Sequence, residues 1–209
     1  DNIKVSGLVG FEKSIKTKLM DKKKFFKKVK IKPQKFVLLS FHPETKTKID
    51  LDFQLKIFEQ IIKKIKIRFI ISYPNADLGN EKIINFYKKI TKSCSNVTLI
   101  KNCGQDLFLN FINYSYLMIG NSSSGIVEAS FFDKIFINIG SRQNGKVMPK
   151  NVYNVRWSEK NIVNIMNKLL NEELYKKKIV TFNPYKEKIS ASKISKFISN
   201  TNLINLKNS

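Results

Sequence analysis

Tyr116-Leu117-Met118-Ile119-Gly120-Asn121-Ser122-Ser123-Ser124-Gly125-Ile126-Val127-Glu128 begins as an unbroken apolar run and ends as an amphipathic one. Tyr116–Ile119 reads as a strand buried on both faces. Ile126, Val127, Ala129 and Phe132 are spaced as one helix face, which predicts a helix over Gly125–Phe132. Small hydroxyl residues thus fall at a strand-to-helix turn. There, backbone N–H groups without helical partners and the helix dipole favour an anion. Glu128 follows one turn later. A phosphate on the serines with a ribose diol on Glu128 would make a nucleotide site. The plainer reading of the same residues is an N-capped helix with an exposed glutamate.

The alternation continues on both sides. Strands are predicted at Phe36–Phe41, Ile67–Ser72, Val97–Ile100, Tyr116–Ile119 and Ile135–Ile139. Helices are predicted at Leu19–Lys30, Leu51–Ile65, Glu81–Thr91, Asp106–Ile112, Lys160–Asn171 and about Lys186–Ser199. Strands alternating with helices over short connections imply an α/β fold with a doubly wound parallel sheet. Ligands of such sheets bind beyond the carboxyl ends of the strands. The polar segments His42-Pro43-Glu44-Thr45, Tyr73-Pro74-Asn75-Ala76-Asp77, Lys101-Asn102, Asn121-Ser122-Ser123 and Gly140-Ser141-Arg142-Gln143 all follow predicted strands.

The 209 residues make one to two domains, and 42% hydrophobic content argues against disorder. No apolar run approaches the roughly 20 residues of a membrane span. The start, Asp1-Asn2-Ile3-Lys4, lacks an initiator Met and an apolar signal segment, and reads as the interior of a longer protein. Cys94 and Cys103 do not form a CxxC pair and are expected reduced in or near the core, as in a cytoplasmic protein. The net charge of +23 raises a nucleic-acid reading. Against it, Arg68, Arg142 and Arg156 are the only arginines beside 36 lysines. Lys, Ile and Asn, which share A/T-rich codons, make up 86 of the 209 residues. The lysines are scattered over helix faces, so a solvated basic surface with salt-sensitive attraction to polyanions is expected.

His42 is the only histidine and the candidate for proton transfer or a phosphate hydrogen bond; a helix-capping loop residue is its plainer reading. Asn75 is placed to bond a ligand, and Asp77 to cap the helix that follows. Arg142, an arginine in a lysine-biased chain, suggests bidentate phosphate contact, against a surface ion pair. Phe108 is either core or a platform beneath a base. P-loop, GxGxxG and metal-cluster patterns are absent, and without a GxSxG elbow a serine hydrolase is disfavoured. No cofactor and no metal are expected.

Together, His42-Pro43-Glu44-Thr45, Tyr73-Pro74-Asn75-Ala76-Asp77, Gly120 through Glu128 and Asn138-Ile139-Gly140-Ser141-Arg142-Gln143 resemble the hydrolysing UDP-N-acetylglucosamine 2-epimerases. The likeness runs over about residues 36–199 and includes Asn183-Pro184-Tyr185 before the last helix. It implies the C-terminal, UDP-holding, Rossmann-like half of a GT-B-type fold. Residues 1–33 would be linker and basic helix, 34–185 the UDP domain, and 186–209 a crossover helix and tail. The N-terminal domain, which carries the acidic proton-transfer residues, would be missing. It implies catalysis assisted by His42, with Ser122 and Ser123 on the phosphates, Glu128 on the ribose, Phe108 near the uracil, and Asn75 and Arg142 lining the site. A UDP-sugar substrate, a cytoplasmic location and a homo-oligomer when full length are implied, without specific nucleic acid or membrane partners. The sequence departs from the family at Lys146, usually Arg, and at Lys186, usually Gly. Other readings left open are a GT-B nucleotide-sugar glycosyltransferase, a non-hydrolysing 2-epimerase and, more distantly, a basic nucleic-acid-binding module. The exposed apolar face of the last helix, Ile189, Ile194, Phe197 and Ile198, is expected to promote aggregation.

Overall fold

Phe36–Ser40 contains no apolar–polar alternation, and the computed structural model buries all five residues as strand β1. The structure describes residues 17–44, 47–101, 103–171, 184–185 and 191–200. Helix α1 (Lys22–Val29) precedes β1. Asp21 caps it by accepting the Lys23 and Lys24 N–H groups, and left-handed Lys30 ends it. Then follow α2 (Leu51–Lys64), β2 (Arg68–Ser72), α3 (Asn80–Ser93), β3 (Val97–Ile100), α4 (Gly104–Tyr114) and β4 (Leu117–Gly120). A single 3-10 turn (Ser123–Gly125) leads into α5 (Glu128–Phe131). β5 (Ile135–Ile139), β6 (Val152–Val155), α6 (Glu159–Leu170) and α7 (Ala191–Asn200) complete the described elements.

The six strands are all parallel in the order β3-β2-β1-β4-β5-β6. Leu38 sits level with Ile70 on one side and Met118 on the other, which makes β1 central. The order reverses direction between β1 and β4, the topological switch point where ligands of open α/β sheets bind.

Alternate residues of each strand feed two cores. Val37, Leu39, Ile71, Ile119 and Ile137 face α2, α3 and α6, whose Phe58, Tyr87 and Met166 are buried. Phe36, Leu38, Ile70, Met118 and Phe136 face α1, α4 and α5, meeting Phe25, Phe26, Phe111 and Ala129. Phe25 and Phe111 meet edge to face with centroids 5.0 Å apart. α1 is also tied by hydrogen bonds: the Met20 N–H donates to Asn110 Oδ1 at 2.8 Å, and the Tyr114 hydroxyl donates to the Met20 carbonyl. The doubly wound reading is therefore observed, on both faces.

Three expectations are corrected. The helix predicted over Gly125–Phe132 is a 3-10 turn and one α turn. Ser130 Oγ bonds back to the Ile126 and Val127 carbonyls at 2.7 and 2.8 Å, and Asp133 turns left-handed at φ 53°. β6 joins the five predicted strands. The basic helix begins at Lys22, where Asp21 caps it, rather than at Leu19. α7 overlaps the predicted last helix, with no residue buried; Phe197 is 49% and Ile198 58% exposed. Thr45, Asn102, Asn183, Lys186 and Ile189 lie outside the described residues. Cys94 and Cys103 are free and half-buried. No helix among the described residues is long and apolar enough to cross a membrane.

Candidate functional site

β1 and β4 run side by side until Ser40 meets Gly120, and beyond that point the two chains part. Gly120 has φ 135°, and a Cβ there would lie 2.0 Å from the Ser40 carbonyl oxygen, so only glycine fits this approach. The divergence opens a cavity of about 550 Å³, in the size range of a small-molecule site. His42 from the end of β1, Tyr73 and Asn75 from β2, Phe108 from α4, and Ser122, Ser124 and Glu128 from the loop after β4 line it. A second cavity of about 540 Å³ lies across the serine loop, lined by Glu44, Asp77, Ser123, Ser141, Arg142 and Lys146. A larger groove of about 900 Å³ sits at the opposite, amino ends of the strands, lined by Lys35, Arg68, Asn96 and Tyr116.

The Asn75 N–H donates to His42 Nδ1 at 3.0 Å. An accepting Nδ1 carries no proton, so the ring's proton resides on Nε2. Burial, then the Arg142 cation, drives the His42 pKa from 6.5 down to about 4, and Asp77 and the Asn75 side chain oppose the shift only partly. At neutral pH His42 is therefore an uncharged hydrogen-bond donor. Glu128 is half-buried, and burial lifts its carboxyl above the usual range against hydrogen bonds from its own N–H and the Ser124 hydroxyl. Lys146 is pushed down by burial and by Arg142.

Most sequence candidates come together here, with changed partners. Ser122 is buried in the first cavity, and its Oγ accepts the Ser124 N–H at 3.3 Å. Ser123 is exposed and faces the second cavity, so Ser124 rather than Ser123 stands beside Glu128. Phe108 is half-buried at the first cavity. Asp77 does not cap α3, because Gly79 occupies that position. Its carboxylate takes the Asn75 Nδ2 at 2.5 Å and stands 3.8 Å from Arg142 Nη2. Nor does His42 cap α2; Asp50 does. Arg142 forms the long ion pair to Asp77 and also donates Nη1 to the Asn121 carbonyl at 3.3 Å. Asn121, Glu44, Ser124 and Gln143 were not singled out by sequence, though each lies in a motif at a strand end.

Serines and a carboxylate at the switch point, with an aromatic ring and a neutral histidine, form a constellation suited to a nucleotide. The family model for UDP-N-acetylglucosamine 2-epimerase matches residues 1–199. The chain belongs to this family. Among curated members of the UDP-N-acetylglucosamine 2-epimerase group and its relatives, the polysialic acid biosynthesis protein P7 of Escherichia coli is 32% identical over 181 residues, 86% of this chain and 46% of that protein. The hydrolysing UDP-N,N'-diacetylbacillosamine 2-epimerase of Legionella pneumophila is 31% identical over 122 residues, 58% of this chain and 32% of that protein. The chain thus spans from a third to a half of these relatives' length. Among solved structures, UDP-GlcNAc 2-epimerase of Methanocaldococcus jannaschii in complex with UDP-GlcNAc and UDP superimposes with a TM-score of 0.74 at 18% identity, over 96% of this chain and 55% of that one. The fold is that of one Rossmann-like half of a GT-B-type epimerase.

Proposed function

We propose that this chain is the C-terminal, UDP-holding half of a hydrolysing UDP-N-acetylglucosamine 2-epimerase, with residues 34–185 as the UDP domain. The observation that carries the reading is the switch-point cavity, in which Glu128, Ser122, Phe108 and a neutral His42 converge. Glu128 accepts the ribose hydroxyls, and Phe108 stacks beside the uracil. Ser122, Ser123 and Arg142 hold the phosphates, and Asn75 orients His42 through its N–H. The name of the Legionella relative supports the hydrolysing branch, and that of the Escherichia relative supports a route toward sialic acid-type sugars.

In the reaction, a base removes the C2 proton of the sugar. The C1–O bond breaks toward UDP, leaving a glycal, and water then adds to give the free 2-epimer. Charge grows on the departing diphosphate, and a fixed Nε2–H donor stabilises it in the transition state. His42 in this state serves as donor of a hydrogen bond, without transferring its proton. The resemblance puts the acid and base groups in the N-terminal half, so on this reading residues 34–185 supply the UDP site and not the proton transfers.

Calorimetric titration with UDP and with ADP tests the reading. UDP binds, ADP does not, and Glu128→Gln weakens UDP about 10- to 100-fold, as expected for losing hydrogen bonds to a charged acceptor. Equal binding of the two nucleotides, or binding of neither, overturns it.

A further inference from the structure

We propose that Asn121 is a positioning residue that ties His42 and Arg142, carried on separate loops, into one unit facing the phosphates of a nucleoside diphosphate. The inference rests on the function proposed above for what it says of phosphates; the tie between Asn121 and His42 stands on geometry.

After Ser40 and Gly120 the backbone ladder between β1 and β4 stops, and the Asn121 N–H makes the last link, to the Ser40 carbonyl at 3.2 Å. The peptide groups of His42 would then lack a strand partner. The Asn121 carboxamide supplies one. Its Oδ1 accepts the His42 N–H at 2.8 Å, and its Nδ2 donates to the His42 carbonyl at 2.9 Å. A side chain here does what a neighbouring strand does elsewhere. Nδ2 also reaches Glu44 Oε1 at 3.3 Å, and Glu44 Oε2 accepts the Ser141 hydroxyl at 3.2 Å.

The other half of the residue holds the other loop. The Asn121 carbonyl accepts Gln143 Nε2 at 2.7 Å and Arg142 Nη1 at 3.3 Å, filling both lone pairs. Asn121 is 0% exposed, so water does not replace a lost bond. A buried hydrogen-bonded network of this kind fixes geometry, and breaking one member disturbs the rest. His42 is then held twice, at its peptide by Asn121 and at its ring by the Asn75 N–H. Asparagine meets both requirements at this position, whereas aspartate cannot donate to the His42 carbonyl and serine is too short to reach both peptide groups.

The solitary histidine makes the test direct, since every imidazole signal comes from His42. Long-range proton–nitrogen spectra of the wild-type chain show the Nε2–H tautomer. In Asn121→Ala the ring loses its fixed place, the two tautomers average, and its titration returns toward that of a free histidine, with Arg142 and Asp77 the charged groups acting on it. A merely structural role would lower the melting temperature and leave the His42 spectrum unchanged. In parallel, Asn121→Ala weakens UDP at least about 10-fold while uridine, which lacks the phosphates, stays within about twofold. Unchanged His42 spectra together with an unchanged UDP-to-uridine ratio overturn the proposal. An altered spectrum in a protein whose wild type does not prefer UDP to ADP upholds the tie to His42 and overturns the function instead. Should Asn121→Ala fail to fold, the isosteric Asn121→Asp, which keeps the acceptor and loses the donor, is read by the same two measurements.

Discussion

Lowering the pH perturbs His42 in a way that can be worked through. Its ordinary pKa of 6.5 falls to about 4 in the folded chain, because burial and Arg142 oppose a positive ring. The unfolded chain therefore binds a proton in a range where the folded one does not. Stability from this group is fully present above about pH 6.5, declines as the pH falls toward about 4, and changes no further below that. At about 1.4 kcal/mol per tenfold change in the equilibrium, the loss across this window is about 3 kcal/mol. That is a large part of the roughly 5–15 kcal/mol that holds a typical domain together. Urea unfolding of the wild type and of His42→Asn, from about pH 7.5 to about pH 4, isolates it. The asparagine keeps an acceptor for the Asn75 N–H and does not titrate. Carboxylates titrate in both proteins and cancel in the difference, including Glu128, whose raised pKa acts in the opposite sense. The wild type should lose about 3 kcal/mol relative to the variant as the pH falls. A difference that stays constant over the range refutes the neutral, buried ring.

Gly125→Ala should cost about 2–3 kcal/mol or more in a denaturant midpoint, because its Cβ would lie 2.4 Å from ring carbons of buried Phe136; a change below about 0.5 kcal/mol would show that the serine loop is not held against β5. Ile198→Ser, on the unburied α7, should reduce self-association in sedimentation without moving the melting temperature. A lowered melting temperature would instead mean that this side chain packs within the chain.

Four of the five strands legible in the sequence, β1, β2, β4 and β5, lie inside the sheet and are nearly wholly buried, and the fifth, β3, is an edge strand that keeps apolar Val97, Leu99 and Ile100. β6, at the other edge, escaped because Tyr153 and Asn154 are exposed between Val152 and Val155 and break the apolar run. The site's location was legible from the polar segments after each strand, since doubly wound sheets put ligands there. Its wiring was not. Whether Ser123 or Ser124 turns toward Glu128 depends on a 3-10 turn that has no apolar period of its own. The clamp of Asn121 on His42 joins residues far apart in sequence through a side chain acting as a strand, and no local pattern encodes that. Asp77 sits where a turn acid commonly caps the next helix, but Gly79 holds that position and the carboxylate is the partner of Asn75 and Arg142.

The central place of β1 has a consequence for how the chain acquires its structure. β1 is the first of the described strands, yet one of its two edges is covered only by β4, which lies on the far side of α2, β2, α3, β3 and α4. A chain emerging amino end first therefore presents Phe36-Val37-Leu38-Leu39 with one open edge until Leu117–Gly120 has followed. Such delayed, non-local pairing slows folding and exposes sticky intermediates. The strand order that creates the binding crevice is thus also the feature that leaves the central strand half-paired until more than seventy further residues have been made.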